Sequence, residues 1–184
     1  MRLALKPHPD SRSSAVTQIE VNVVRPRPGS LALRYYVTGR IGELRLPEAA
    51  QPARTDELWK HTCFEAFIRE ASGAAYYEFN FSPSTQWAAY RFTDYRSGMY
   101  MATEVDTPAI DIQSNPRSFS LQAALALDRL SALPRDASWR LALSAVIEET
   151  NGNKSYWALA HPSGKPDFHH KDGFAYELTP AVHP

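Results

Sequence analysis

Apolar and polar residues alternate over short stretches along most of the chain, and the pattern is tightest between Leu58 and Phe92. Successive side chains of a strand point to opposite faces. CFEAFI therefore puts Phe64, Ala66 and Ile68 on one face and Cys63, Glu65 and Phe67 on the other. YYEFNF and WAAYRF continue the pattern, so three consecutive antiparallel strands are predicted at about 62–70, 75–82 and 86–94. ASGA is short enough for a hairpin link, and SPST places a proline where a ladder must stop. One face of this sheet is wholly apolar. The other carries Glu65, Glu78 and Asn80 among aromatic rings, a composition shared by ligand surfaces and by buried polar networks.

The flanking sequence continues in kind. After a polar leader ending near Ser14, VTQIEVNVV alternates Ile19, Val21 and Val23 against Gln18, Glu20 and Asn22, and LALRYYVTG answers it across the turn RPRPGS. RIGELRLP is expected to bend or bulge, and EAAQPARTDE to be a surface loop. MYMATEV and AIDIQ read as strands without a clear register. In SFSLQAALAL the alternation of Phe119, Leu121, Ala123 and Leu125 competes with helix-forming Ala, Leu and Gln, and the alternation decides for a strand. DRLSALP is expected to form one short helical turn closed by Pro134. WRLALSAVIEE and SYWALAH form a hairpin around NGN, and a long loop leads to a last strand at about 174–178. Many short strands and at most one short helix predict an antiparallel β-sandwich.

Composition narrows the function classes. The 184 residues suit a single domain over 1–184, and the 20 basic side chains balance the 20 acidic ones. That balance gives no field to attract nucleic acid or an anionic membrane. The one cysteine, Cys63, has no internal disulfide partner, and the N-terminal stretch lacks the apolar core of a signal peptide, so a cytoplasmic, reducing location is expected. No phosphate-cradling, nucleophile-elbow or zinc-protease string is present.

Three constellations bear on chemistry. Trp59, Trp87 and Trp157, with several tyrosines, offer flat faces on which apolar sugar C–H faces stack, while Glu, Asn and Arg meet the hydroxyls. HPSGKPDFHH gathers His161, Asp167, His169 and His170 without a metal-ligand spacing, so Asp167 and one histidine are expected to lock the loop against the sheet. Glu65, Glu78 and Glu148 look inward, and two of them at about 5–10 Å would match a glycosidase pair. Arg69 and Arg91 are available as partners, and no catalytic residue or metal is expected.

LWKHTCFEAFI, YYEFNFSPSTQWAAYRF, SFSLQAALALDRL, SAVIEETNGNKSYWALAH and PDFHHKDGF, in that order, resemble the bacterial DOMON-like domain, a relative of the family-nine carbohydrate-binding modules. The resemblance covers about Val16 to Leu178 and implies a β-sandwich of about ten strands with a ligand site on one sheet. Sugar and haem are the ligands known in that superfamily. The positions matching its pattern are Trp59, Glu65, Glu78, Asn80, Trp87, Arg91, Trp157 and His169. Sugar-binding relatives carry an acidic residue just after the leading Trp, where this chain has Lys60, His61 and Thr62. Haem-binding relatives use a Met and a His, for which Met99 or Met101 with His161 are the available residues.

The expected function is a non-enzymatic module that binds a carbohydrate or similar polyhydroxylated small molecule on one sheet face, without a cofactor. The alternatives are a haem protein of the b-type cytochrome kind, an enzyme of sugar chemistry built on Glu65 and Glu78, and a protein-interaction domain.

Overall fold

The computed structural model describes residues 1–180, so the last four residues of the 1–184 span lie outside the described residues. The described residues form twelve strands: β1 (Arg2–Pro7), β2 (Val16–Val24), β3 (Ser30–Gly39), β4 (Cys63–Glu70), β5 (Tyr76–Phe81), β6 (Trp87–Phe92), β7 (Tyr100–Met101), β8 (Ala109–Asn115), β9 (Ser118–Ala126), β10 (Trp139–Glu148), β11 (Lys154–Ala158) and β12 (Tyr176–Leu178). Eleven of them follow one path, β7-β6-β5-β4-β10-β11-β1-β2-β3-β9-β8, and β12 pairs with the start of β10. The named strand pairs are all antiparallel.

The path folds over into two layers, with β1 as the corner. Arg2–Leu5 pairs with β2 in the first layer, and Lys6–Pro7 pairs with β11 in the second. The polar leader, for which the periodicity predicts no element, therefore contains a strand. Only Leu3 and Leu5 alternate there before Pro7, too short a period to signal a strand, and backbone pairing to two neighbours holds it instead.

Between the layers, Ile19, Val21, Leu33, Tyr35 and Leu121 meet Phe64, Ile68, Phe79, Leu141 and Leu143, all buried in one core. Phe64 stacks on Phe119 at 5.7 Å between ring centroids. The Tyr35 hydroxyl crosses from β3 to donate to the Glu65 carbonyl at 2.7 Å, so a polar group within the core finds a partner on the opposite layer. β9 is a strand as its alternation demands, because Phe119, Leu121, Ala123 and Leu125 all enter this core.

Some connections differ from expectation. DRLSALP makes two linked turns, Leu130 to Leu127 and Leu133 to Leu130, rather than one helical turn. Single 3-10 turns occur instead at Ile41–Glu43, Leu58–Lys60 and Lys171–Gly173, the first being the bend expected in RIGELRLP. MYMATEV shrinks to the two residues of β7, and the last strand begins at Tyr176 because Phe174 still closes the 3-10 turn before it. Among the described residues no helix is long and apolar enough to cross a membrane.

Candidate functional site

Strand register builds a trough on the outer face of the second layer. One row across five strands reads Ala88 on β6, Asn80 on β5, Glu65 on β4, Ser144 on β10 and Ala158 on β11. These side chains are short apart from Glu65. The row on one side carries Tyr90, Glu78 and Phe67, and the row on the other ends in Tyr156. Small residues flanked by large ones leave a depression with two carboxyl groups on its floor.

Loops raise the walls. The turn before β4 brings Trp59, the β6–β7 loop brings Arg96 and Met99, and the β11–β12 loop brings Lys165, Phe168 and His169, enclosing a cleft of about 610 Å3. Trp59 is 36% exposed and sits edge-on to Tyr90 at 6.0 Å. Tyr90 donates its hydroxyl to Asp56 at 2.6 Å, which anchors the segment before the turn. Asp167 fastens the long loop: it accepts from the Arg96 guanidinium at 2.7 Å and from the His169 amide at 3.1 Å. Asp167 therefore does lock the loop, chiefly against the β6–β7 loop.

His169 packs against Phe67 and Phe92 at 5.0 and 5.1 Å. Its Nδ1 lies 2.8 Å from the Tyr76 hydroxyl. Burial pushes Tyr76 up to about 12, so it keeps its proton, and because its oxygen already accepts from the Arg96 amide at 3.2 Å that proton is the one directed at Nδ1. The ring N–H then sits on Nε2, 3.7 Å from a Glu78 carboxyl oxygen. Burial, with the Arg96 charge adding to it, lowers His169 to about 4, so the ring is neutral at pH 7.

Glu65 and Glu78 are 3% and 5% exposed. Asn80 donates its amide to Glu78 at 2.8 Å, and the Ser144 hydroxyl reaches Glu65 at 3.4 Å. The other Glu65 carboxyl oxygen, Oε1, is buried without a partner. Burial pushes Glu78 up to about 7, against the pull of Asn80 and Arg96. It pushes Glu65 well above the usual carboxylate range, reinforced by the charge of Glu78. The pair consequently retains at least one proton at neutral pH.

Two neighbouring glutamates behave in the opposite way. Burial would raise Glu148, but His61 at 2.7 Å and Arg45 at 3.2 Å hold it below its usual range. Glu149 accepts from Ser13, Ser14 and Ala15, which outweigh its burial and draw it down to about 2. Glu148 therefore belongs to a paired cluster rather than to the cleft.

Of the residues singled out in the sequence, Trp59, Glu65, Glu78 and His169 line the cleft, and Asn80 is buried on its floor against Glu78. Trp87, Arg91 and Trp157 face the other way. Trp87 is in the core under the Arg54 guanidinium at 4.1 Å, and Trp157 is in the core with its indole N–H on Ser155 at 3.0 Å. Arg91 lies between the Tyr77 and Tyr100 rings at 5.6 and 5.8 Å. Strand parity is the cause: Trp87, Ala89 and Arg91 share the inward face of β6, and on β11 the outward residue is Tyr156. Met99 lines the cleft and Met101 is on β7, while His161 is outside the lining with its Nε2 against the Lys6 carbonyl at 2.8 Å. Neither Met101 nor Met99 is thus brought together with His161 in the cleft. Among the described residues no group of three or more His, Cys, Asp or Glu is gathered as for a metal ion.

Tyr156 is one of the tyrosines of the aromatic set but not one of the positions the resemblance names, and Arg96 and Lys165 were not anticipated at all. Tyr156 stood beside a more conspicuous Trp, and the other two sit on loops where periodicity carries no signal.

No protein-family model and no curated protein sequence matches the chain. Among solved structures, the chain is similar to a candidate carbohydrate-binding protein from Bacteroides uniformis, with a TM-score of 0.68 and 13% identity over 94% of this chain and 83% of that one. A family-nine carbohydrate-binding module from Caldicellulosiruptor kristjanssonii, solved with glucose, has a TM-score of 0.55 and 10% identity over 95% of this chain and 81% of that one. The fold is similar to that of a family-nine carbohydrate-binding module. At such identities the likeness establishes the fold and not the ligand.

Proposed function

We propose that the chain is a non-enzymatic binding module whose cleft holds a carbohydrate or a similar polyhydroxylated small molecule. One observation carries the proposal: Glu65, with an unpartnered buried oxygen, and Glu78 open onto a cleft of about 610 Å3 that also presents Trp59 and Tyr156. Small-molecule sites are typically of roughly 300–1,000 Å3, with a few convergent polar groups among apolar walls. Sugar hydroxyls would meet Glu65 and Glu78, and a sugar C–H face would rest on Trp59. Asn80 has its amide committed to Glu78 and acts by aiming that carboxyl group. The likeness in fold to a module solved with glucose supports the same reading.

Isothermal titration against a panel of mono- and oligosaccharides tests it. At least one member should bind saturably, and Trp59→Ala, which alters a partly exposed ring outside the core, should weaken that binding about tenfold or more. A panel without a single binder would overturn the proposal.

A further inference from the structure

The chain surrounds two of its buried carboxylates with several donors or cations and gives two others one neutral side-chain donor each. Glu148 has His61 and Arg45, and Glu149 has hydroxyl and amide donors from Ser13, Ser14 and Ala15. Glu65 and Glu78 lie on the same outward face of adjacent strands and are as deeply buried, yet neither is hydrogen-bonded by an arginine or lysine among the described residues. A buried acid pair without a cation is costly unless something positive joins it. A proton fills that place in the free protein, and the open cleft above offers another way to fill it.

We propose that the preferred ligand carries a protonated amine on its polyhydroxylated ring, a hexosamine rather than a neutral hexose, with the ammonium seated between Glu65 and Glu78. This rests on the carbohydrate reading and names the chemical class within it. The ammonium has three donors, and Glu65, which lines the cleft, has a buried oxygen without a partner, Oε1. The aromatic rings lining the cleft add favourable faces for a cation.

Two cations line the same cleft and Arg96 already pulls on Glu78, so the ammonium enters where both are committed elsewhere or turned to solvent. Arg96 is bonded to Asp167, and Lys165 is exposed on the long loop. His169 presents a neutral ring, and Cys63, adjoining Asn80 on the floor, keeps its thiol proton because burial pushes it well up. Tyr35, beneath Glu65, is likewise held protonated by burial. The protons on the glutamate pair are therefore the ones an incoming ammonium displaces, and they leave to solvent.

Calorimetric titration at pH 7 of glucosamine, galactosamine and mannosamine beside glucose, galactose and mannose separates the outcomes. At least one hexosamine should bind ten times or more tightly than its parent hexose, with net release of roughly half a proton or more, read from the dependence of heat on buffer ionisation. Glu65→Gln, which is isosteric, should bring the two forms of that sugar to within about threefold. The wild-type comparison needs no variant and so does not depend on folding of a mutant. Hexoses bound as tightly as hexosamines would overturn this inference and leave the carbohydrate reading standing. Failure of all six sugars, and of the wider saccharide panel, would overturn both.

Discussion

Asn80 stands opposite Glu65 in the β4–β5 ladder but donates its amide along its own strand to Glu78, at 2.8 Å. That choice leaves a buried Glu65 oxygen unpartnered. It makes the cleft floor a place where protonation, stability and binding are coupled.

The coupling has a sign. The folded-state value of Glu78, about 7, lies above its ordinary 4.5, so its contribution to stability is full below about pH 4.5 and is lost as pH rises through 7. His169 acts oppositely, its contribution being full above 6.5 and lost as pH falls to about 4. At pH 8 His169 is neutral in both states. Glu78→Gln should therefore be more stable than the parent at pH 8, by on the order of 1–3 kcal/mol, with the gain shrinking to a minor part of that by pH 5. Thermal unfolding at the two pH values measures it, and a destabilised variant at pH 8 would contradict the assignment.

Glu149 gives the mirror case. Its folded-state value of about 2 lies below the ordinary 4.5, so it stabilises the fold above pH 4.5 and ceases to do so as pH falls through 2. Glu149→Gln should cost about 2–3 kcal/mol at pH 7, with the cost shrinking towards pH 2. Urea unfolding at pH 7 and pH 3 tests this through a smaller difference at the lower pH.

Tyr35→Phe removes the hydrogen bond that joins the two layers beneath the cleft and leaves the ring packing in place. It should lower stability by about 1–2 kcal/mol in chemical denaturation. Saccharide affinity should stay within about twofold, since the lost partner is the Glu65 backbone carbonyl rather than its carboxyl group.

The wall made by the β11–β12 loop hangs largely on Asp167. Asp167→Ala, which frees Arg96 and the His169 amide, should speed amide exchange across about 163–170 while the strands keep their protection. Exchange unchanged in that segment would show that the packing of Phe168 and His169 suffices to hold it.

These residues also show what a sequence can reveal. Strict alternation with Phe64, Ala66 and Ile68 on the apolar side is legible at once and separates Glu65 from the core face, but the expectation that Glu65 and Glu78 look inward is corrected by the two-layer arrangement, which sets them on the outer face beneath the cleft. The same parity separates Trp87 from Tyr90 and Trp157 from Tyr156, but both faces of β6 carry an aromatic ring and an alanine, and a tryptophan draws more attention than a tyrosine. Only the two-layer arrangement says which face is the core. Arg96 and Lys165 reach the cleft from loops shaped by Asp167, and the corner strand β1 is held by backbone pairing, so none of the three carries a periodic signature.

The most direct test uses the four tryptophan indole N–H signals in a nitrogen–proton NMR spectrum, followed during titration with a saccharide that binds. Trp59 alone lies on the cleft, while Trp87, Trp139 and Trp157 are buried in the core. The signal of Trp59 should move saturably with the other three nearly still. A saccharide that binds and shifts a core tryptophan but leaves Trp59 unmoved would contradict the placement of the site.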